Sequence, residues 1–511
     1  MTERREGATS AVTLLDCTLR DGGYYNEWDY SPSLIRSYLT AMSEAKVPVV
    51  ELGFRTAETG RYMGPTAFTT DRFLESLDLP GNVTFGVMAN AKEVVADGDA
   101  RRVIDRLFRP QAESSVRLVR IATNFGELVA LEPGVERLHE LGYGVGVNLM
   151  QIASRTDDEI DEFGRLAARW GIQVAYFADS FGGMQPDHIS EVVGTLKKAF
   201  GGPVGCHTHD NMSLAFANTI AAVEAGATYV DATVMGMGRG PGNARTEYVA
   251  YELTRRGLAE LEPERLLPLV ANEFTELQRE YGWGSNIYYF LSAANGIHPT
   301  YIQEMTKDGR YSVAEIVTAL QQLGAKGGSS FNRERLEAAA QDIGFGDSAG
   351  SYDASGWCDG KNVLIVGPGP VGVERRADVE DYIRAHHPLV VALNAVPPVD
   401  RSLVDAYAIC DPVRAVIDAT RIAALDRTLF MPQPVQDRLD PPPPAQARDY
   451  GLTASSTSFQ AGPTSCTIPR IASFPYALAV AMIGGAKEVL LTGFDGFEAT
   501  DPRQAEMEQL F

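Results

Sequence analysis

Short β-branched runs alternate with amphipathic stretches through the first 240 residues. This alternation limits what the chain can fold into more than any other feature. The runs fall at 12–17, 49–54, 83–89, 116–122, 145–150, 174–178, 204–207 and 229–234. Between them, 33–45, 100–107, 128–141, 157–170, 186–200 and 212–225 space their apolar residues as helices do. Eight such alternations predict a (β/α)8 TIM barrel, with an open doubly wound sheet as the other arrangement. The reactive residues separate the two. Arg20, Asp21, Glu51, Asp179, His207, His209 and Asn243 lie at or just past the C-terminal ends of the runs. That rim is where a barrel keeps its active site.

His207-Thr208-His209 lies in a short apolar run that reads as a strand. Residues i and i+2 share a face there, so both imidazoles converge. Two of the seven histidines are spent on this tripeptide. The run at 12–17 leads into Arg20-Asp21. Two imidazoles and a carboxylate make a divalent-metal site with open positions, and an adjacent arginine can hold a developing anion. The competing reading is a core His-x-His satisfied by hydrogen bonds.

The segment Leu14-Leu15-Asp16-Cys17-Thr18-Leu19-Arg20-Asp21-Gly22-Gly23 resembles the first strand of the DRE-TIM metallolyases. His207-Thr208-His209-Asp210-Asn211 is similar to their metal strand, and Ala178-Asp179-Ser180-Phe181-Gly182-Gly183-Met184 to the turn after their sixth strand. Gly236-Met237-Gly238-Arg239-Gly240-Pro241-Gly242-Asn243-Ala244 resembles their final glycine loop. The branch most resembled is the 4-hydroxy-2-oxovalerate aldolase-like one. The resemblance implies a divalent metal, Mn2+ first among Mg2+, Co2+ and Zn2+, on Asp21, His207 and His209 with Asn243 near it. It also implies Arg20 as enolate stabiliser, and substrate contacts from Asp179, Asn148, Gly238 and Gly240. The chain departs from those aldolases at two places. Tyr24 stands where they carry a His, and His298 where they carry a Tyr. An exchanged acid/base pair is the expectation, with a pH limb near neutrality and Glu51 as the reserve base. The activity implied is cleavage or formation of a carbon–carbon bond between a 2-oxo acid and an aldehyde. The alternatives are a Claisen-type acyl-CoA/2-oxo acid synthase, a two-His-one-carboxylate iron redox enzyme, and a binding protein on an inactive barrel.

The barrel is expected over 10–245, a helical extension packing on it over 246–343, a linker over 344–360 and a separate Rossmann-like α/β domain over 361–511. Helices are expected at 247–256, 263–281, 287–293, 301–305, 313–323 and 332–342, and a helix start at 501–511. Val366-Gly367-Pro368-Gly369-Pro370-Val371-Gly372 matches a glycine phosphate turn after a strand. The next strand, 389–394, ends in Asn394 rather than the acid that grips a ribose. Gly367, Gly369 and Asn394 are the candidate contacts for a sugar- or nucleotide-linked ligand, since this region faintly resembles Rossmann-like sugar- and nucleotide-handling modules. A formal charge of −22 opposes nucleic acid and anionic membrane. No apolar run is long enough to span a bilayer, and the polar N-terminus is unlike a signal peptide. Five scattered cysteines suit a cytoplasmic protein. A homo-oligomer is compatible with all of this.

Overall fold

The computed structural model describes residues 11–57, 62–307, six positions between 316 and 324, 349–454, 458–469 and 471–494. The chain forms two compact units, Met1–Ile302 and Gln303–Phe511.

In the first unit eight parallel strands close into a barrel in chain order: β1 Thr13–Asp16, β2 Val49–Phe54, β3 Thr84–Asn90, β4 Val116–Thr123, β5 Gly144–Leu149, β6 Val174–Asp179, β7 Val204–Thr208 and β8 Tyr229–Ala232. β1 pairs with both β2 and β8, which closes the ring and excludes the open sheet. Helices begin where their caps dictate. Ser31 Oγ accepts from the Leu34 amide ahead of helix Pro32–Glu44, with proline at its first position. Thr156 and Glu159 form a capping box on helix Asp157–Trp170. Outward strand residues and inward helix faces make one continuous core, including Val50, Val87, Val119 and Phe163.

The inner wall follows strand parity. Its floor is Leu15, Val49, Leu118, Val174 and Tyr176. One step along β2 and β4, the inward residues are Glu51 and Arg120. The barrel makes room for these long side chains with glycine on neighbouring strands. A Cβ on Gly146 would lie 3.2 Å from Arg120 Cγ, and one on Gly205 would meet the Tyr176 ring at 2.3 Å.

The expected helix 247–256 is Thr246–Arg255. The expected helix 263–281 forms in pieces: a 3-10 turn Pro263–Leu266, α-helix Leu267–Leu269, a π turn Val270–Phe274 and α-helix Thr275–Tyr281. Leu253, Leu266, Leu269, Phe274 and Trp283 join the barrel core. Helices Ile287–Ala294 and Thr300–Lys307 follow. The helices expected over 313–323 and 332–342 lie largely or wholly outside the described residues, as does the helix start at 501–511.

The second unit holds an open, wholly parallel sheet in the order β13-β12-β11-β10-β9-β17. Its strands are β9 Asn362–Val366, β10 Leu389–Leu393, β11 Ala406–Ala408, β12 Thr428–Phe430, β13 Ala447–Arg448 and β17 Glu488–Thr492. Strands β14 Gly451–Ala454, β15 Gln460–Ala461 and β16 Ser465–Ile468 form a small second sheet. The linker expected at 344–360 needs correction over its described part. The Gly350 amide donates to Thr464 O and the Tyr352 amide to Asp449 O, each at 2.9 Å, and Ala354 and Cys358 are fully buried in this unit's core. A stretch rich in Gly, Ser and Asp can still pack when its few apolar residues fall on one side.

Candidate active site

The end of β1 is fixed before any chemistry begins. Buried Asp16 accepts from the Tyr38 hydroxyl at 2.5 Å, from Thr246 Oγ1 at 2.5 Å and from the Thr18 amide at 2.8 Å. Thr18 Oγ1 accepts from the Val234 amide at 2.8 Å. These bonds tie the helical turn Thr18–Asp21 to the seam between β1 and β8, and Asp21 is aimed inward from it.

Asp21, His207 and His209 each offer a ligand atom, and the three atoms lie within 4.8 Å of one another. His207 Nε2 is 3.4 Å from Asp21 Oδ2. That is about the spacing of two ligands bonded at ~2.1 Å to one ion. Both rings are oriented from behind. His209 Nδ1–H donates to Asp179 O, and His207 Nδ1 meets Asp231 Oδ2, each at 2.9 Å. A donor at Nδ1 leaves the Nε2 lone pair facing Asp21, the tautomer a metal needs. Asn243 comes to the same place because its backbone bridges His209, and its Nδ2 reaches His207 Nε2 at 3.1 Å. Asp21 Oδ2 and Asn243 Oδ1 are buried acceptors with no donor. Two orphaned oxygens beside two imidazole lone pairs fit a divalent cation, and the chemistry of the set agrees. Burial by itself would raise the Asp21 carboxyl, but Arg20 and the two histidines hold it well below the usual carboxylate range. Burial and the neighbouring His207 keep His209 well below an ordinary histidine, so it stays neutral.

The loop after β8 has to be glycine-rich to deliver Asn243. Gly242 sits at φ +88°, and a Cβ there would lie 1.8 Å from Gly236 O. A Cβ on Gly238 would lie 1.8 Å from Asn243 Oδ1.

Below the ligands runs a closed ring of buried charges. Arg20 Nη1 holds Asp21 Oδ1 at 2.6 Å, and Arg20 Nε holds Glu51 Oε1 at 2.7 Å. Arg120 takes Glu51 through Nε at 2.7 Å and Nη2 at 2.9 Å, and reaches Asp231 Oδ2 through Nη1 at 2.7 Å. Asp231 holds His207, which returns to Asp21. Arg120 and Asp231 were missed from the sequence. A charge inside an apolar barrel strand is their only signal. The ring corrects the reserve role expected of Glu51: both its oxygens are engaged by guanidinium groups in full burial, so it positions Arg20 rather than taking protons.

The remaining candidates divide. Asn148 faces inward near the end of β5 with a buried, unpartnered Oδ1. Asp179 points back into its own turn and accepts from the Gly183 and Met184 amides at 3.3 and 3.2 Å. Burial raises it to about 6 against those amides. It anchors the turn behind His209, and the substrate contact expected of it is replaced by that role. Gly240 admits the post-barrel segment, since its absent Cβ would stand 3.1 Å from Pro299 Cβ, and its carbonyl accepts from the Tyr25 hydroxyl. Tyr24 packs edge-on against Trp28 and Phe54. His298 lies edge-on to Phe181, and its Nδ1 accepts from the Thr300 amide at 3.3 Å. No hydrogen bond or ring contact joins Tyr24 to His298 among the described residues. Burial and then Arg239 push His298 down to about 3. An imidazole held there is neutral through the range in which an ordinary histidine titrates, contrary to the expectation of a limb near neutrality.

In the second unit the Gly367 amide donates to Thr492 O at 2.8 Å and the Gly369 amide to Gly493 O at 3.0 Å. Both glycine amides are thus spent on the neighbouring turn instead of facing a phosphate. Asn394, at φ +63°, accepts from Ser473 Oγ at 3.2 Å.

The HMGL-like family model matches residues 108–272. The 4-hydroxy-2-oxovalerate aldolase of Pelotomaculum thermopropionicum is 32% identical over 252 residues, covering 49% of this chain and 72% of that protein. The chain belongs to the HMGL-like family, the DRE-TIM metallolyases. Within this family it is also similar to the oxaloacetate decarboxylase of Mycobacterium tuberculosis, at 31% identity over 50% of this chain and 73% of that protein. The solved N-terminal domain of an aldolase-like protein from Bacteroides vulgatus superposes with a TM-score of 0.54. It is 29% identical and covers 60% of this chain and all of that domain. The HMGL-like barrel here is a lyase of the DRE-TIM type, and its candidate ligands for a divalent metal are Asp21, His207 and His209. No helix among the described residues is long and apolar enough to cross a membrane.

Proposed function

We propose that this chain cleaves or forms the C3–C4 bond of a 4-hydroxy-2-oxo acid, passing through the enolate of the 2-oxo acid half. One observation carries the reading. Three metal-type ligands converge on one point, and the guanidinium already holding Asp21 keeps its buried Nη2 without a partner. When bound there, a divalent cation supplies Lewis-acid charge to the oxygens of a 2-oxo acid.

The chain's own residues supply the rest. In cleavage the C4 hydroxyl loses its proton, the C3–C4 bond breaks, and its electron pair moves onto C3 and the C2 oxygen. The aldehyde leaves, and C3 then takes up a proton to give the 2-oxo acid. Arg20 Nη2 is the donor for the developing C2 oxyanion. Tyr24 and His298 flank the mouth and handle the hydroxyl. Because His298 Nδ1 accepts from a backbone amide, its Nε2 carries the hydrogen. His298 is therefore a donor to the aldehyde oxygen, and the Tyr24 hydroxyl is the proton carrier.

Similarity to an oxaloacetate decarboxylase supports a second reading, because loss of carbon dioxide from oxaloacetate gives the same enolate. That reaction deprotonates no hydroxyl and has no use for Tyr24. The test is to load the full chain with Mn2+ and supply 4-hydroxy-2-oxovalerate and oxaloacetate separately. Pyruvate released from the first, and lost in Tyr24→Phe, supports the aldolase. Turnover of oxaloacetate alone, indifferent to Tyr24→Phe, replaces it with the decarboxylase. Failure of both, with no deuterium exchange into the methyl group of pyruvate, overturns the enolate reading.

A further inference from the structure

Arg239 lies in the glycine loop, between Gly238, which abuts Asn243 Oδ1, and Gly240, which is pinned by the Tyr25 hydroxyl. Its Cζ stands 5.7 Å from the centroid of the Tyr24 ring, and its Nε is buried without a hydrogen-bond partner. Arg239 as a whole is half-buried. The buried arginines of the barrel each hold a carboxylate, even where one nitrogen stays unpartnered, as Arg20 Nη2 and Arg55 Nε do. Arg20 holds Asp21 and Glu51, Arg55 holds Asp71, and Arg120 holds Glu51 and Asp231. Among the described residues Arg239 holds no carboxylate, although the chain has 67 acidic residues against 45 basic ones. A half-buried guanidinium with no carboxylate of its own and one buried, unanswered N–H is placed to meet an anion that arrives from outside.

Its surroundings say where that anion belongs. The charge of Arg239 is felt on both sides of the mouth, by His209 among the ligands and by His298 on the post-barrel segment. The carboxylate of a 2-oxo acid is already provided for by the ligand set and Arg20. Tyr24 and His298 mark the side where the aldehyde half lies; Arg239 stands over the Tyr24 ring, and its charge reaches His298. We infer that Arg239 binds an anionic group, a carboxylate or a phosphate ester, on the aldehyde half of the substrate. The planar fork suits either oxyacid. The substrate class narrows to aldol adducts of a 2-oxo acid that carry a second anion at the far end. This inference rests on the 2-oxo acid reading above.

The test is an equilibrium one, so it does not depend on turnover. The Mn2+-loaded full chain, saturated with pyruvate, is titrated calorimetrically with 4-hydroxybutyrate, glycerol 3-phosphate and, as the neutral control, propan-1-ol. The first two are unreactive stand-ins for a carboxylate-bearing and a phosphate-bearing aldehyde. At least one should bind about 10- to 100-fold more tightly to the wild type than to Arg239→Gln, with Arg239→Lys between them. Whichever anion shows that difference names the group. The inference is overturned if both anions bind Arg239→Gln as well as they bind the wild type, or no better than propan-1-ol binds. Arg239→Lys keeps the question decidable if the glutamine variant does not fold. Pyruvate deuterium exchange in the wild type is read separately. Exchange without a loss on Arg239→Gln rejects the Arg239 role alone, whereas absence of exchange rejects the enolate reading and leaves the titration to judge Arg239.

Discussion

Arg20 is a cation braced for a role it does not yet fill. Two of its nitrogens hold Asp21 and Glu51, and the third faces no partner. Its effect should appear mainly after the bond has broken. Arg20→Ala is expected to lower turnover by about 10²–10³, on the scale of one lost oxyanion donor, and Arg20→Lys to recover only part of it. Steady-state kinetics with 4-hydroxy-2-oxovalerate measures this, and near-normal turnover would remove Arg20 from the mechanism. Asp231 acts one residue further back. Losing its hold on His207 Nδ1 frees the ring to rotate, so Asp231→Asn should weaken metal binding about 10- to 100-fold, as read by competition with a chelator. His298 makes a prediction about pH. Its ordinary value of 6.5 falls to about 3 through burial and then Arg239, so it is neutral on both sides of pH 6. A pH profile of kcat/KM between 5 and 8 should contain no limb that disappears in His298→Gln. A limb that does disappear would mean that the ring takes up a proton in that range.

At the scale of elements, the barrel was legible because each strand is an uninterrupted β-branched run and each helix carries a periodic apolar face. All eight expected strands match observed ones to within two residues at either end. The convergence of His207 and His209 was legible by parity, since residues at i and i+2 of a strand share a face, whereas Asp21 and Asn243 were placed beside them by the family resemblance. What escaped notice obeys the same physics with weaker marks. Asp231 is the one charge in β8, and Arg120 shares β4 with the exposed Arg117, so each reads equally well as solvent-facing until its partners on other strands are known. Strands β11 and β12 hold three residues each, too few to show a period. The packing of 350–360 depends on contacts about a hundred residues away in sequence, which no local pattern announces. The glycine loop offers the direct test at this scale. Gly242→Ala places a methyl group against Gly236 O at φ +88°, so the loop must open. The cost should be about 1–3 kcal/mol in stability by denaturant titration. Metal affinity should fall with it, because Asn243 moves with the loop.

At the scale of the whole molecule, two units with separate cores should melt as two events, with only the barrel sensing the metal. With Mn2+ at about 100 times its dissociation constant, linkage adds about 2.7 kcal/mol to that unit. For a unit of 302 residues this corresponds to about 4 °C in Tm. Scanning calorimetry with and without a chelator would show one transition move and the other stay; movement of both would mean that the units unfold together. The ring of buried charges has a further consequence, for timing. Arg20 and Arg120 face three carboxylates, Asp21, Glu51 and Asp231, an excess of one negative charge; against burial, Asp21 and Asp231 answer it by holding His207 above its ordinary value, and it stands bare once His207 is neutral. In that condition it repels a 2-oxo acid and attracts a cation, and the surrounding chain is itself strongly anionic. Order of addition is therefore built into the barrel: cation first, organic anion second. Initial-rate patterns should show compulsory sequence rather than random encounter, with free 2-oxo acid unable to trap the protein in a form the cation cannot enter.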